Sequence, residues 1–308
     1  MVAVSVVHGA AQAVQLRYQW KQGDVLTYQT EVRTTSSASG GPRGTETFEQ
    51  TLTQTFQLTV AAVNPADGSA TLRQSIEAVA VEMDTPAGKV AYDSRKKLPE
   101  DADPRLLGMA KTLGGMVGEA ISVTMASTGA VRRIDGTARI VQKLIENLPR
   151  DPMAGGLAQN IKAMLSDDAL RSSLEQSFSR LPEQAVTVGE TWSAEQTVSA
   201  GASGRVLGKT TFTLKSIDGT GDAAMARIAV SLALQQEEVP GPGASTMVKL
   251  GAGSKGTGEV VFNIGRGRIE TNSMLTDMPS TVTMRGPDGA AMTLQNNTKT
   301  TMTMRRVE

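Results

Sequence analysis

From residue 14 to about residue 95, apolar and polar positions alternate. Leu16, Tyr18 and Trp20 fall on one face. In ETFEQTLTQTFQLTVAAV the even positions include Phe48, Leu52, Phe56, Leu58 and Val60. The odd ones are Glu49, Thr51, Thr53, Thr55, Gln57 and Thr59. A period of two over that length predicts strands with one apolar and one wet face, the pattern of an antiparallel sheet packed on one side. Asn64-Pro65-Ala66-Asp67-Gly68 is a turn by its chemistry, since proline sets φ, aspartate bonds nearby backbone and glycine accepts positive φ. SATLRQSIEAVAVEM reads as the return strand.

The period changes twice. RLLGMAKTLGGMVG predicts a short helix weakened by glycine. Between 137 and 181, Ile140, Val141, Leu144, Ile145 and Leu148 recur at helical spacing, as do Leu157, Ile161, Met164 and Leu165, and then Leu170, Leu174, Phe178 and Leu181. Ser166-Asp167-Asp168 is a cap for the last of these helices. Period two returns after Pro182. Ile228, Val230, Leu232 and Leu234 share a face, and so do Met292, Leu294, Met302 and Met304 in the final strand. The organisation expected is a leader over 1–13, a β-rich half over 14–136, a helical segment over 137–182 and a second β-rich half over 183–308.

Three pairs of stretches echo one another in the same order: GDVLTYQTEV with GETWSAEQTV, TFQL with TFTL, and GEAISVTMASTGAVRRI with GEVVFNIGRGRIE. They raise the expectation of two related halves. One feature opposes it. With Gly118 laid on Gly258, the apolar faces of the two hairpins disagree, and a slip of one residue turns a strand over.

Composition narrows the chemistry. Lys plus Arg and Asp plus Glu are both 31, so there is no electrostatic reason to expect nucleic acid or an anionic membrane surface as a partner. Aromatics are 3% of residues, too few for base-stacking platforms. Cysteine is absent and the one histidine is His8. Val2–Val7 followed by Ala11-Gln12-Ala13 reads as the tail of a secretory signal peptide cleaved after Ala13. No basic residue precedes the apolar run, a departure that a start codon placed too far downstream explains. Removal of His8 with the leader leaves no imidazole for a triad or a histidine-ligated metal. No other stretch approaches the roughly 18 apolar residues of a spanning helix. The expectation is an exported protein, periplasmic or extracellular, with no transmembrane segment, no cofactor and no enzymatic activity.

Other candidates resolve into structure. Asp218-Gly219-Thr220-Gly221-Asp222 lacks the alternating ligands of a calcium loop and reads as a hairpin turn. Gly251–Gly256 lacks the Walker spacing. Arg132-Arg133 and Arg266 with Arg268 read as charges that guard sheet edges. The late methionines Met274, Met278, Met284, Met292, Met302 and Met304 fit either a plain core or an adaptable apolar cavity.

Several predicted strands run 14 residues or more, and sheets of such strands curl or close. A curled sheet with an apolar concave side needs filling, and the striped helices are the filler. The fold class expected is therefore α+β and β-rich, a long curved antiparallel sheet, half-barrel-like, clasping a central helical segment. LRYQWKQGDVLTYQTEV, LPEQAVTVGETWSAEQTV and the GEAISVTMASTGAVRRIDG hairpin followed by a helix resemble a family of uncharacterised exported bacterial proteins, a domain of unknown function. That resemblance covers nearly the whole chain after the leader and transfers no catalytic residue. In architecture the layout is similar to the periplasmic lipoprotein-carrier and mycobacterial lipid-carrier half-barrels, which implies a covered apolar cavity. The residues expected to line such a cavity are Phe56, Leu58, Val230, Leu232, Phe262, Met292, Leu294 and Met302, and the partner expected is a lipid or another hydrophobic small molecule. The competing expectation is a structural or interaction protein of the cell envelope, with the helices filling the sheet completely. A hydrolase using carboxylates or a Ser-Lys pair is the third.

Overall fold

The computed structural model describes residues 13–41, 44–86, 88–148, 154–199, 205–237, 246–285 and 290–307. The expected leader lies outside them except for Ala13, as do Pro149 and Pro152, expected to end the first helix of the segment, and most of EEVPGPGAS and RGPDG, expected to be a linker and a turn. The first half carries β1 (Val25–Gly41), β2 (Gly44–Val63), β3 (Ala70–Thr85), β4 (Gly88–Asp93), α1 (Pro104–Gly114), β5 (Ala120–Met125) and β6 (Val131–Asp135). The expected helical segment is α2 (Thr137–Glu146), α3 (Ala154–Met164) and α4 (Asp167–Ser177). Then follow β7 (Thr191–Ser199), β8 (Arg205–Asp218), β9 (Met225–Glu237), β10 (Thr246–Leu250), β11 (Lys255–Asn263), β12 (Arg268–Arg285) and β13 (Ala291–Val307).

All the strands join one antiparallel sheet that curves but does not close, in the order β6-β5-β3-β2-β1-β13-β12-β11-β9-β8-β7. β4 pairs with the far part of β3, and β10 with the far part of β12. The chain starts at the centre with β1, meanders to one edge at β6, and crosses through α2–α4 to the other edge at β7. It then meanders back until β13 lies against β1, in register from Thr27↔Val307 to Ser39↔Gln295. The echoing stretches lead into β1 and β7, lie in β2 and β8, and lead into or lie in β5 and β11. The third echo is not residue for residue. Gly118 is in the left-handed region, at φ +79°, ahead of β5. Gly258 lies inside β11, where a Cβ would collide with the Ser273 carbonyl oxygen. The two glycines do different jobs, which is why the apolar faces disagree.

Edge strands expose unpaired backbone groups that invite aggregation. Here α4 and the segment after it bind at both edges. The Val131 amide of β6 donates to Glu175 Oε1 at 3.1 Å, and Arg171 donates to the Val131 carbonyl. Trp192 Nε1 of β7 donates to the Arg180 carbonyl at 2.7 Å. The Ser166 hydroxyl caps α4 as expected, accepting from the Ala169 amide at 3.3 Å. The other end of α4 is held by Asn272 of β12. Its buried Nδ2 donates to the carbonyls of Gln176 and Ser177, both at 2.8 Å, and so satisfies terminal carbonyls that lack helical partners.

Five of the sequence's ten aromatics, Tyr18, Tyr28, Phe56, Phe178 and Phe262, gather in the concave centre. Phe178 stands edge-on to Tyr28 with centroids 5.7 Å apart, Tyr28 stacks on Phe56 at 5.7 Å, and Tyr18 meets Phe262 edge-on at 5.4 Å. The segment 13–20 threads this core. Val14 bridges Val186, the Tyr18 amide donates to the Ser127 carbonyl at 2.8 Å, and the Gln19 amide donates to the Gly267 carbonyl at 3.0 Å. The turns of the two echoing hairpins therefore hold consecutive residues of one strap. Both turns need glycine: Gly129 at φ +84° lies against Tyr18, and Gly267 at φ +58° lies against Gln19. The Tyr28 hydroxyl donates to the Ile269 carbonyl at 3.1 Å, and burial pushes its ionisation well above the ordinary tyrosine range.

Candidate ligand cavity

Packing is not uniform across the concave face. Between the first-half sheet and the helices lies a cavity of about 470 Å³. Its floor is Leu52 and Gln54 of β2, Gln74, Ile76 and Val79 of β3, and Ile121 of β5. Leu113 and Met116, at and just past the end of α1, wall one side. Its roof is Ile140 of α2, Leu165 after α3, and one face of α4. On α4 the lining positions are Ala169, Leu170, Ser173 and Leu174, a single stripe at helical spacing. The lining is predominantly apolar and the volume falls in the range of about 300–1,000 Å³ typical of small-molecule sites.

A β-bulge shapes the floor. Thr55 pairs with Ala78 while Phe56 pairs with Ile76, so Glu77 is left over on β3. An extra residue reverses which side chains face inward. Leu72, Gln74 and Ile76 face in before it; Val79 and Val81 face in after it.

The mouth lies where β5 begins. Gly118 turns the chain out of α1, and its amide donates to the Ile76 carbonyl at 2.8 Å, which sets Glu119 at the rim. Glu119 receives Lys143 Nζ at 2.5 Å and Arg139 Nη2 at 3.0 Å, both from α2. The Lys143 hydrogen bond, aided by the charges of Lys143 and Arg139, holds its carboxyl below the ordinary glutamate value despite the opposing effect of burial. These ion pairs tie α2, whose buried residues Ile140 and Leu144 pack on α3, down to the sheet. Met164 and Ser173 complete an exposed rim.

The eight residues expected to line a cavity lie elsewhere. Phe56, Leu58, Val230, Phe262 and Met302 are packed in the main core. Leu232 is buried beside Val230 at a void of about 30 Å³. Met292 is 39% exposed, and Leu294 is half-buried against Gly41. Strand alternation states which way a side chain points but not what lies opposite it, and the outer end of β13 runs past the helices. Of the late methionines, Met274, Met302 and Met304 are core, while the methionines lining the cavity are Met116 and Met164. Gln74 is a polar residue between Leu72 and Ile76 on an apolar face of β3, a signal present in the sequence, whereas Gln54 shares its face of β2 with Gln50 and Glu46 and carries no such signal.

The sheet is similar to a solved structure of lipid–protein interactions in lipovitellin, at 12% identity and a TM-score of 0.50. The match covers 94% of this chain and 26% of that one, so the chain spans about a quarter of that protein, and the likeness is one of fold alone. DynF from the dynemicin biosynthesis pathway of Micromonospora chersina matches at 8% identity over 98% of this chain and 90% of that one, with a TM-score of only 0.21. Pseudomonas aeruginosa OccK8 matches at 6% over 94% and 100%, with a TM-score of 0.18. Among curated proteins, none matches. The model of DUF6263, a family of unknown function, matches residues 67–263, from the turn before β3 to the end of β11, and the chain belongs to that family.

Proposed function

We propose that this protein is an exported, non-enzymatic binder of a lipid or another hydrophobic small molecule, held between the first-half sheet and the helical roof. The observation that carries this reading is the apolar cavity of about 470 Å³. A void of that size lined by Leu, Ile, Val and Met forfeits the contacts that close packing would supply. A hydrophobic occupant restores them and removes its own apolar surface from water. At the rim α2, whose buried residues belong to a cluster separate from the main core, is fastened to the sheet by the Glu119 ion pairs beside Ile121, which packs on that cluster; this suits a roof that admits a ligand. Export rests on the Val2–Val7 run and the Ala11-Gln12-Ala13 triplet.

The test is extraction of the purified protein with organic solvent, native mass spectrometry, and titration with a fluorescent fatty-acid analogue. A bound hydrophobic species, or saturable binding, is expected. Filling the cavity with Ala169→Trp or Ile76→Trp should abolish it while the far-ultraviolet dichroism stays that of the parent. Absence of any bound species, together with no saturable binding, would overturn the reading and favour an envelope protein acting through its outer, Thr-rich face.

A further inference from the structure

The floor of the cavity has one feature that an occupant made only of hydrocarbon does not explain. Gln74 sits on the concave side of β3, opposite Leu58 on one flank and Ile121 on the other, with Leu72 and Ile76 as its neighbours on the same face. Its Oε1 is buried and has no hydrogen-bond partner. Among the described residues the other buried side-chain atoms in that condition are Trp20 Nε1 and Asn297 Oδ1, and neither residue lines this cavity. A second amide, Gln54, lies on the same floor on β2. A buried amide oxygen without a partner destabilises the fold, and leucine or methionine of similar size would fill the position without that cost. The chemistry of the position is therefore that of a receptor group. An amide oxygen accepts from a hydroxyl or an N–H and repels a bare carboxylate or phosphate.

We propose that the ligand is an amphiphile whose buried part carries a hydroxyl, as in a hydroxylated acyl chain, and that Gln74 accepts the hydrogen bond from that hydroxyl. This rests on the cavity being a ligand site. It goes beyond that reading by assigning Gln74 as the specificity-determining residue. Apolar walls select for chain and shape, and one amide selects among chains that differ by a single oxygen. Sites built around a polar partner discriminate strongly against analogues lacking it, because the buried group is then left unpaired.

The experiment displaces a fluorescent fatty-acid analogue from the full-length protein with stearic acid and with its monohydroxylated positional isomers. At least one isomer is expected to bind about tenfold more tightly than stearic acid, the ratio that one satisfied buried hydrogen bond supports. Gln74→Leu should reduce that ratio to near one. Gln74→Met, also close to isosteric, should do the same and guards against a folding defect peculiar to one variant. Equal binding of stearic acid and every isomer by the parent protein would overturn the assignment while leaving the cavity a lipid site. So would a preference that survives both substitutions. Failure of every fatty acid to displace the probe would overturn the cavity reading itself.

Discussion

Two regions of one concave face were built from the same alternation of apolar and polar residues, and they ended differently. Around β1, β13, β12 and β11 the strap 13–20 and Phe178 fill the trough. Beside that region, against β8, β9 and α4, the space left is about 30 Å³, room for a water or two. Against β2, β3 and β5 the trough holds about 470 Å³. The difference lies in what covers the strands. Rings of Tyr18, Tyr28, Phe56, Phe178 and Phe262 interlock over the first region. Over the second, α4 presents Ala169 and Ser173, while β2 and β3 present glutamines. A sheet's apolar face sets the opportunity for a core, and the covering elements decide whether it becomes a core or a container.

Substitutions in the two regions should differ in cost. The largest is at the centre: Phe178→Ala removes a ring that touches Tyr18, Tyr28 and Phe56 and should cost about 4 kcal/mol in a urea melt. A cost near zero would mean the solid region is not solid. Next comes overpacking. Ala226, fully buried in the core, should tolerate phenylalanine poorly, losing about 3 kcal/mol, whereas Ala169→Trp over the cavity should cost less than about 1 kcal/mol. Equal costs would erase the distinction between the regions. Asn272→Ala strips the terminal carbonyls of α4 of their buried donor and should cost about 2 kcal/mol, with the loss visible as faster amide exchange at both sheet edges.

The smallest effect concerns the rim. The folded carboxyl of Glu119 titrates below its unfolded value of about 4.3. Its ion pairs with Lys143 and Arg139 therefore stabilise the protein fully above that pH, and the contribution fades as pH falls through the lowered folded value. Glu119→Gln should remove this dependence from an acid-unfolding curve, at a cost of no more than about 1 kcal/mol at neutral pH. On the proposed binding role, entry of a fluorescent fatty-acid analogue should quicken in the same variant, with α2 as the part of the roof that moves. Unchanged entry would place the moving part elsewhere.

Much of the architecture was legible because it depends on local periodicity. The long strands, the four helices, the Ser166 cap and the Asn64–Gly68 turn all follow from residues within a few positions of one another. In that turn Asn64 Oδ1 accepts from the Ala66 amide and Asp67 Oδ1 from the Ser69 amide, both at 3.0 Å. The cavity was not legible, for three physical reasons. The bulge at Glu77 changes which residues of β3 face inward, and nothing in SATLRQSIEAVAVEM announces it. The strap and Phe178 come from distant parts of the chain, so Phe56 and Leu58 read as cavity wall until the rings that bury them are in place. Met292 and Leu294 continue the correct face beyond the end of the cover. Gln74 was legible as a polar interruption of the Leu72–Ile76 stripe, whereas Gln54 shares its face of β2 with Gln50.

The pairing of β1 with β13 bears on how the molecule comes into being. These strands lie side by side at the middle of the sheet, yet some 250 residues separate them along the chain. Such long-range contacts give a high contact order and slow acquisition of the native state. Until β13 arrives, β1 and β12 both present bare edges more than fifteen residues long, rich in threonine and prone to pair with whatever is near. The nascent protein therefore passes through a stage in which its future centre is an open seam. Its most aggregation-sensitive moment comes just before β13 docks, when a chaperone that shields strand edges would raise the yield of folded molecules most.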